Sequence, residues 1–208
     1  MRTTIFIIAS IFISLQSFAQ EIFSEGVINY KIYLDGNTTE NGTFTVFVKQ
    51  NNIKQVLNLN NGFSNIKIFN SKTQSTSSLN FINGAKYALV LTAMEVNEKN
   101  KEFAGAVFTK NLDTKKLAGY ECTSQKVTYT NGKKATLYST NALIPSAESF
   151  NAMFPGLKEM PLEYEMNNGS SSMKFVAQSI EIKSVDSEEF NIPKDYKIVT
   201  KEELQNLK

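Results

Sequence analysis

The sequence predicts a mainly β (α+β) fold made of one domain with many short antiparallel strands. Apolar and polar residues alternate with a period of two through most of the chain, as in half-buried strands. Asn-Gly and other Gly-containing turns separate these stretches, as in a meander. With 208 residues, 15 of them Phe and 8 Tyr, the chain can bury a large core in a single domain.

The first 19 residues have the composition of a secretory signal peptide. Arg2 supplies a positive charge, Ile5–Leu15 is almost wholly apolar, and Ser17 and Ala19 are small residues at the −3 and −1 positions of a cleavage site. The apolar stretch is shorter than the roughly 20 residues of a membrane-spanning helix, which disfavours a membrane anchor. We therefore expect a mature domain of residues 20–208, without a transmembrane segment and exported to the periplasm or the extracellular space.

The first half of the mature chain predicts a run of antiparallel strands. In the first of them, Ile28, Tyr30 and Ile32 share one face. Asn60-Asn61-Gly62 is one of the turns, because Asn and Gly tolerate positive φ. Two polar stretches are expected to lie outside the strands, 72–78 as a loop with a ragged strand and 95–102 as an exposed loop or single helical turn. The predicted strands are 27–34, 43–49, 53–59, 63–69 and 86–92.

The second half continues the pattern. Asn131-Gly132 is the clearest hairpin signal, since a two-residue type I′ turn requires positive φ at both positions. A last hairpin is expected to turn at residues 167–169. The predicted strands of this half are 103–110, 120–129, 134–140, 161–166 and 173–184.

Two short helices are predicted near the end of the chain. Ser146 is the expected N-cap of the first, Glu148 lies in its first turn, and Pro155-Gly156 ends it. The second covers 200–207, where Thr200 and Glu203 form a capping box. The apolar residues on one face of the first helix, spaced i, i+3 and i+4, are Phe150, Met153 and Phe154.

The composition excludes several classes of function. Because the chain has no His, it lacks Ser-His-Asp and Cys-His catalysis and imidazole metal ligands. A single Cys forms neither an intramolecular disulfide nor a thiolate zinc site. A formal net charge of +2 gives no electrostatic basis for nucleic-acid binding. We expect no metal site, no cofactor and no nucleic-acid partner.

Two features invite a catalytic interpretation, and both also have a structural one. Cys122 is either a reactive thiol near Lys116 and Lys126 or a small buried apolar residue. The buried interpretation is favoured, because Cys122 lies in mid-strand. Glu163 and Glu165 share a strand face, as a glycosidase carboxylate pair would, but so do residues of any solvated strand. The solvated strand is favoured, and we do not expect an enzyme.

Three segments resemble a bacterial family of exported proteins of unknown function. The most specific is Lys-Lys-x-x-Gly-Tyr-x-Cys at 115–122, followed by Phe-Pro-Gly-Leu at 154–157 and Pro-Leu-Glu at 161–163. The family is similar over most of the mature chain. The resemblance implies the LolA-like fold of lipoprotein and lipid carriers: an open, strongly curved antiparallel sheet, or half-barrel, with short helices covering its concave face. It implies no particular substrate.

The function expected from such a fold is binding without catalysis. Strand twist makes a wide sheet curl, and the resulting concave apolar face needs a cover or a ligand. We expect a cell-envelope protein that binds or carries a lipid, an acyl chain or a lipidated protein there. The alternative is a structural or interaction protein of the periplasm, with a permanently filled core and an envelope protein as its partner. The predicted cavity residues are Ile28, Tyr30, Ile32, Phe44, Val46, Phe150, Met153 and Phe154.

Overall fold

The computed structural model describes residues 20–168 and 171–207. The predicted signal peptide and part of the last predicted turn lie outside these residues. Within the described ranges there are two α-helices, α1 (Ala93–Asn100) and α2 (Lys201–Gln205), and three 3₁₀ helices at Lys101–Phe103, Glu148–Asn151 and Ser187–Phe190. The strands are β1 (Glu21–Phe23), β2 (Glu25–Leu34), β3 (Gly42–Lys49), β4 (Asn52–Leu59), β5 (Ser64–Asn70), β6 (Ser75–Ile82), β7 (Ala85–Leu91), β8 (Val107–Leu117), β9 (Tyr120–Thr128), β10 (Lys134–Thr140), β11 (Leu143–Pro145), β12 (Met160–Asn168), β13 (Ser171–Glu181) and β14 (Lys197–Val199).

Twelve of the strands form one open sheet. Their order in space is β14-β7-β6-β5-β4-β3-β2-β13-β12-β10-β9-β8, so β14 and β8 are the two edges. Neighbouring strands are antiparallel, except that β14 runs parallel to β7. β1 and β11 pair in parallel as a separate ribbon. The predicted mainly β fold with a large antiparallel sheet is confirmed.

The sheet is curved. One cavity is lined by side chains from eight neighbouring strands, from Leu91 at the end of β7 to Met166 on β12. With strands about 4.8 Å apart, eight strands of a flat sheet would spread over roughly 30 Å and could not surround a common space. The concave side of the curve is therefore the side that carries the candidate site.

Side chains are buried on both faces of the sheet. Neighbouring residues of a strand point to opposite faces, and Val27 and Ile28 accordingly belong to two different cores. The larger core lies on the concave face. The smaller core lies on the convex face, where Phe190 of the third 3₁₀ helix packs with Ile68 of β5. An ion pair between Lys54 and Glu189, 2.5 Å from Nζ to Oε2, also joins that segment to β4.

Two polar stretches have more regular structure than the sequence predicts. The expected loop at 72–78 contains the start of β6, which pairs with both β5 and β7. The expected loop or single turn at 95–102 belongs to α1 and the 3₁₀ helix that follows it. Thr92 and Glu95 form a capping box at the start of α1, a signal that is visible in the sequence as Thr-x-x-Glu.

The two predicted C-terminal helices have different outcomes. α2 begins after Thr200 with the expected capping box to Glu203. The helix expected from Ser146 to Phe154 is instead a 3₁₀ helix of four residues, Glu148–Asn151. Ser146 is not its N-cap, because its hydroxyl donates to the carbonyl of Gln50 at 2.9 Å. The chain is still extended at Pro145, which pairs with β1, so little length remains for a helix before Pro155-Gly156.

Candidate functional site

A cavity of ≈1430 Å³ lies on the concave face of the sheet. It is lined by residues of eight strands, β7, β6, β5, β4, β3, β2, β13 and β12. Residues of α1, Phe103 of the following 3₁₀ helix and residues of the segment 146–154 also border it. Pockets for small ligands have volumes of roughly 300–1,000 Å³. This cavity is larger and suits an extended or bulky ligand.

Aromatic rings form an apolar floor in the cavity. The ring of Phe175 stacks on Tyr164 with 4.8 Å between centroids and meets Phe44 edge-on at 5.1 Å. Tyr30 lies 5.8 Å from Phe44, and Phe154 lies 5.6 Å from Tyr164. Such tilted and offset contacts stabilise aromatic pairs beyond the area they bury. The five rings, Tyr30, Phe44, Phe154, Tyr164 and Phe175, are called the aromatic floor below.

The tyrosines of the aromatic floor are neutral. The Tyr30 hydroxyl donates to the carbonyl of Pro161 at 3.0 Å, so its polar end is satisfied inside the core. Burial raises the pKa of both Tyr30 and Tyr164 above its usual range. The floor therefore presents uncharged, mostly apolar surface to the cavity.

Six of the eight predicted cavity residues line this space, and two do not. Ile28 and Ile32 lie on the same face of β2 as Tyr30, but they are fully buried in the packed core and do not border the cavity. Alternation along a strand assigns a face, but it does not reveal which positions along that face are already covered. The six that line the cavity are Tyr30, Phe44, Val46, Phe150, Met153 and Phe154.

Part of the cavity wall is polar, and the sequence analysis did not predict the lysines that form it. Lys67 of β5 and Lys99 of α1 both line the cavity. The alternation of 63–69 puts Lys67 on the same face as Phe69, but it does not say that this face is concave. The prediction of a loop at 95–102 gives Lys99 no defined face, whereas the Thr92-x-x-Glu95 capping box is the signal that could have identified its helix.

Cys122 is a buried residue of β9. Its Sγ donates a weak hydrogen bond to the carbonyl of Tyr120 at 3.5 Å. Burial raises the pKa of the Cys122 thiol to about 11, and the opposing effect of nearby Lys115 is smaller. The thiol is therefore protonated near neutral pH, which supports the interpretation of Cys122 as a small apolar core residue.

We expect Cys122 in the native protein to resist 5,5′-dithiobis(2-nitrobenzoate). The thiolate is the reacting species, and at pH 8 a thiol with a pKa of about 11 is ionised in about one molecule in a thousand. The same protein in guanidinium chloride is the control, in which the single Cys of the chain should react completely within minutes. Rapid reaction without denaturant would contradict the buried placement.

Glu163 is buried, so the expected solvated position is wrong for this residue, whose charge is compensated by two lysines. Its Oε2 accepts from Lys115 Nζ at 2.6 Å, and its Oε1 accepts from Lys174 Nζ at 3.1 Å. Lys115 also lies over the ring of Tyr138, 3.7 Å from the centroid. Glu165 is exposed, and neither carboxylate lines the cavity. The pair thus gives no positive support to glycosidase chemistry, which needs a free acid and a free base or nucleophile at a substrate site.

Comparison with known proteins finds solved structures with a similar fold. Neither a protein-family model nor a curated protein matches the chain. An uncharacterized conserved protein from Thermus thermophilus matches with a TM-score of 0.52 and 8% identity, over 85% of this chain and 91% of that one. PNGF-II matches with a TM-score of 0.50 and 15% identity, over 88% of this chain and 33% of that one, so this chain spans about a third of its length.

A LolA superfamily protein from Nitrosomonas europaea also matches, with a TM-score of 0.37 and 10% identity, over 82% of this chain and 91% of that one. Identities this low concern the fold alone. The two matches with TM-scores of 0.50 or more support a fold built on a large open sheet, and the LolA-like architecture implied by the sequence resemblance stays a prediction. Of the helices in the described ranges, none has the length and apolar character needed to cross a membrane.

Proposed function

We propose that this protein is a non-enzymatic binding protein of the cell envelope, which holds an acyl chain, a lipid or the lipid part of a lipoprotein in its concave cavity. The observation that carries the proposal is the ≈1430 Å³ space bordered by the aromatic floor. Each methylene group buried against apolar surface contributes about 0.8 kcal/mol. A chain of about ten methylenes therefore contributes about 8 kcal/mol before the entropic costs of binding.

The helix α1 supports entry of a ligand. None of its residues is buried, although Val96 and Asn97 border the cavity. The segment 146–154 is held more firmly, because Phe154 is buried in the aromatic floor and Tyr129 donates to the carbonyl of Met153 at 2.8 Å. Elements with few buried contacts open at low free-energy cost. We propose that α1 covers the cavity and moves away from the segment 146–154 when a ligand enters.

The location in the envelope rests on the sequence. Residues 1–19 have the character of a signal peptide, and export would place the mature chain in the periplasm or outside the cell. A soluble protein in that compartment that shields an acyl chain from water would need a cavity of this kind.

An interaction protein without a small-molecule ligand is the second candidate. The edge strand β8 supports it, since Leu112 is 99% exposed and Val107 is also largely exposed. Unpaired backbone groups at a sheet edge can add a strand from another protein. A permanently filled core would require side chains to occupy the cavity, however, and the space of ≈1430 Å³ argues against that.

The proposal predicts that the mature protein binds the fluorescent fatty acid 11-(dansylamino)undecanoic acid. Transfer of the dansyl group from water to the cavity should shift its emission to the blue, and native mass spectrometry of gently purified protein should show a bound amphiphile. Leu57→Trp should weaken binding of the probe, because Leu57 of β4 lines the cavity and an indole would take part of the apolar space open to the ligand. The dansyl group is excited directly, so that the fluorescence of the new Trp does not contribute to the measured emission.

Val56→Trp is the matched control. Val56 is the neighbour of Leu57 on the same strand, points to the opposite face and does not line the cavity. The Val56→Trp variant should bind the probe with the affinity of the wild type. If neither native mass spectrometry nor the probe detects a bound amphiphile in the wild type, the proposal is wrong, and the edge strand β8 becomes the better candidate.

A further inference from the structure

Two lysines form a positively charged section of the cavity wall. The sheet register places Lys67 of β5 between Gln55 of β4 and Ser78 of β6, in one row across three strands. All three side chains line the cavity. Lys99 of α1 also lines it. We call Lys67, Lys99, Gln55 and Ser78 the polar section.

The polar section lies beside apolar wall. On β5, Phe69 follows Lys67 on the same face, and it pairs with Ile53 of β4. On β4, Leu57 follows Gln55 on the same face. Phe69, Ile53 and Leu57 all line the cavity. A single ligand with one apolar and one polar part could therefore contact both kinds of surface.

Neither Lys67 nor Lys99 forms an ion pair among the described residues. The only carboxylate there whose pKa is shifted by the charge of Lys99 is Glu95, one turn earlier on α1, which does not line the cavity. Both lysine side chains are exposed, so water reaches them. The pKa of Lys67 is nevertheless lowered, first by the protein around it and second by the charge of Lys99. No carboxylate is among the groups that act on it. An anion between the two lysines would offset the repulsion between their charges.

Two carboxylates also line the cavity, and they do not neutralise this section. Glu102 is already paired with Lys133, 2.8 Å from Oε2 to Nζ. Glu148 lies in the 3₁₀ helix of the segment 146–154 and is exposed. The positive charge of the polar section is therefore available to a ligand.

We propose that the cavity selects anionic amphiphiles: the acyl chain packs on the aromatic floor, and the anionic oxygens of a carboxylate or phosphate headgroup bind between Lys67 and Lys99. This inference rests on the proposed function and specifies its ligand class. Gln55 and Ser78 supply neutral polar groups beside the headgroup. Hydrogen bonds from ammonium groups to such oxygens are the stronger kind, because both partners are charged.

The test compares 11-(dansylamino)undecanoic acid with its uncharged methyl ester, which has the same chain and fluorophore. The wild type should bind the acid more tightly than the ester. The double variant Lys67→Met/Lys99→Met should bind the acid about 10- to 100-fold more weakly, as expected for the loss of charged hydrogen bonds. Its affinity for the ester should change less than about two-fold, because Met retains the length and apolar part of Lys.

Lys116→Met/Lys126→Met is the charge-matched control, since it also removes two positive charges. Lys116 of β8 and Lys126 of β9 are exposed and do not line the cavity, so their loss should leave both affinities unchanged. Urea denaturation of each variant verifies that it is folded. Inorganic phosphate is a third probe: if it competes with the acid as well as dodecyl phosphate does, the section is a site for free anions and the amphiphile proposal is wrong.

The outcomes separate this inference from the proposed function. If the wild type binds acid and ester equally, or the Lys67→Met/Lys99→Met variant loses both to the same extent, charge selection is wrong while the cavity still binds acyl chains. If the wild type binds neither probe, acyl-chain binding itself is wrong. Stronger binding of the acid, lost only in the Lys67→Met/Lys99→Met variant, supports both.

Discussion

Phe175→Ala is expected to lower the free energy of unfolding by about 3–5 kcal/mol, the usual cost of truncating a buried Phe. Phe175 is 4% exposed and lies between two rings of the aromatic floor, Tyr164 at 4.8 Å and Phe44 at 5.1 Å. The truncation removes both ring contacts. Neighbours can close the void from one side only, because the other side is the cavity. Urea denaturation followed by circular dichroism measures the difference.

Phe81→Ala is the matched control, since it is the same substitution at an exposed position. Phe81 of β6 is 67% exposed, so its truncation should change the free energy of unfolding by about 0.5 kcal/mol or less. The loss at Phe175 would be a large part of the roughly 5–15 kcal/mol that stabilises a typical domain. Equal losses for the two variants would show that the aromatic floor is not a packed part of the core.

The sheet was predictable from the sequence because its signals are local. In β2, alternation alone identifies Ile28, Tyr30 and Ile32 as one buried face, and the structure agrees. A hairpin is likewise found at Asn131-Gly132, between β9 and β10. Its turn is not the predicted type I′, because only Gly132 has a positive φ, +79°, and the Gly132 amide donates to the carbonyl of Tyr129 at 2.9 Å. In these regions, turn residues and strand pattern specify the same structure, as is typical of sequences that fold uniquely.

The missed strands depend on contacts between distant parts of the chain. β14 is three residues long and pairs in parallel with β7, and the equally short β1 pairs in parallel with β11. Segments of three residues have no measurable period, so only the tertiary contact reveals them. β6 was predicted only in part, as a ragged strand within the loop at 72–78, because its polar residues Ser75, Thr76 and Ser78 have the composition of a loop.

The candidate site was predictable in its apolar part only. Tyr30, Phe44 and Val46 follow from alternation once a concave sheet is assumed. The polar section requires the register of β4, β5 and β6 and the position of α1, because it joins Lys67 and Lys99 from different elements. A single sequence specifies which residues share a strand face, but it does not specify which strands surround a cavity.

Gly26→Ala is expected to lower the free energy of unfolding by about 3 kcal/mol or more, because β13 packs directly against Gly26. A Cβ at this position would lie 2.4 Å from the carbonyl oxygen of Glu181 and 2.8 Å from the ring of Phe23. The carbonyl belongs to the backbone of β13 and cannot rotate away as a side chain could. The φ of Gly26, +155°, adds a conformational cost for any other residue.

The position of Gly26 makes this clash costly for the whole sheet. β2 and β13 are adjacent in the centre of the strand order, so their pairing joins the strands from β14 to β3 with those from β12 to β8. Gly62→Ala is the control: its φ is +90°, but no atom would lie within 4 Å of the new Cβ, so only the backbone cost of about 1 kcal/mol remains. Urea denaturation measures the free energy of unfolding of both variants. Equal losses for Gly26→Ala and Gly62→Ala would show that close packing of β2 on β13 does not hold the two halves of the sheet together around the cavity.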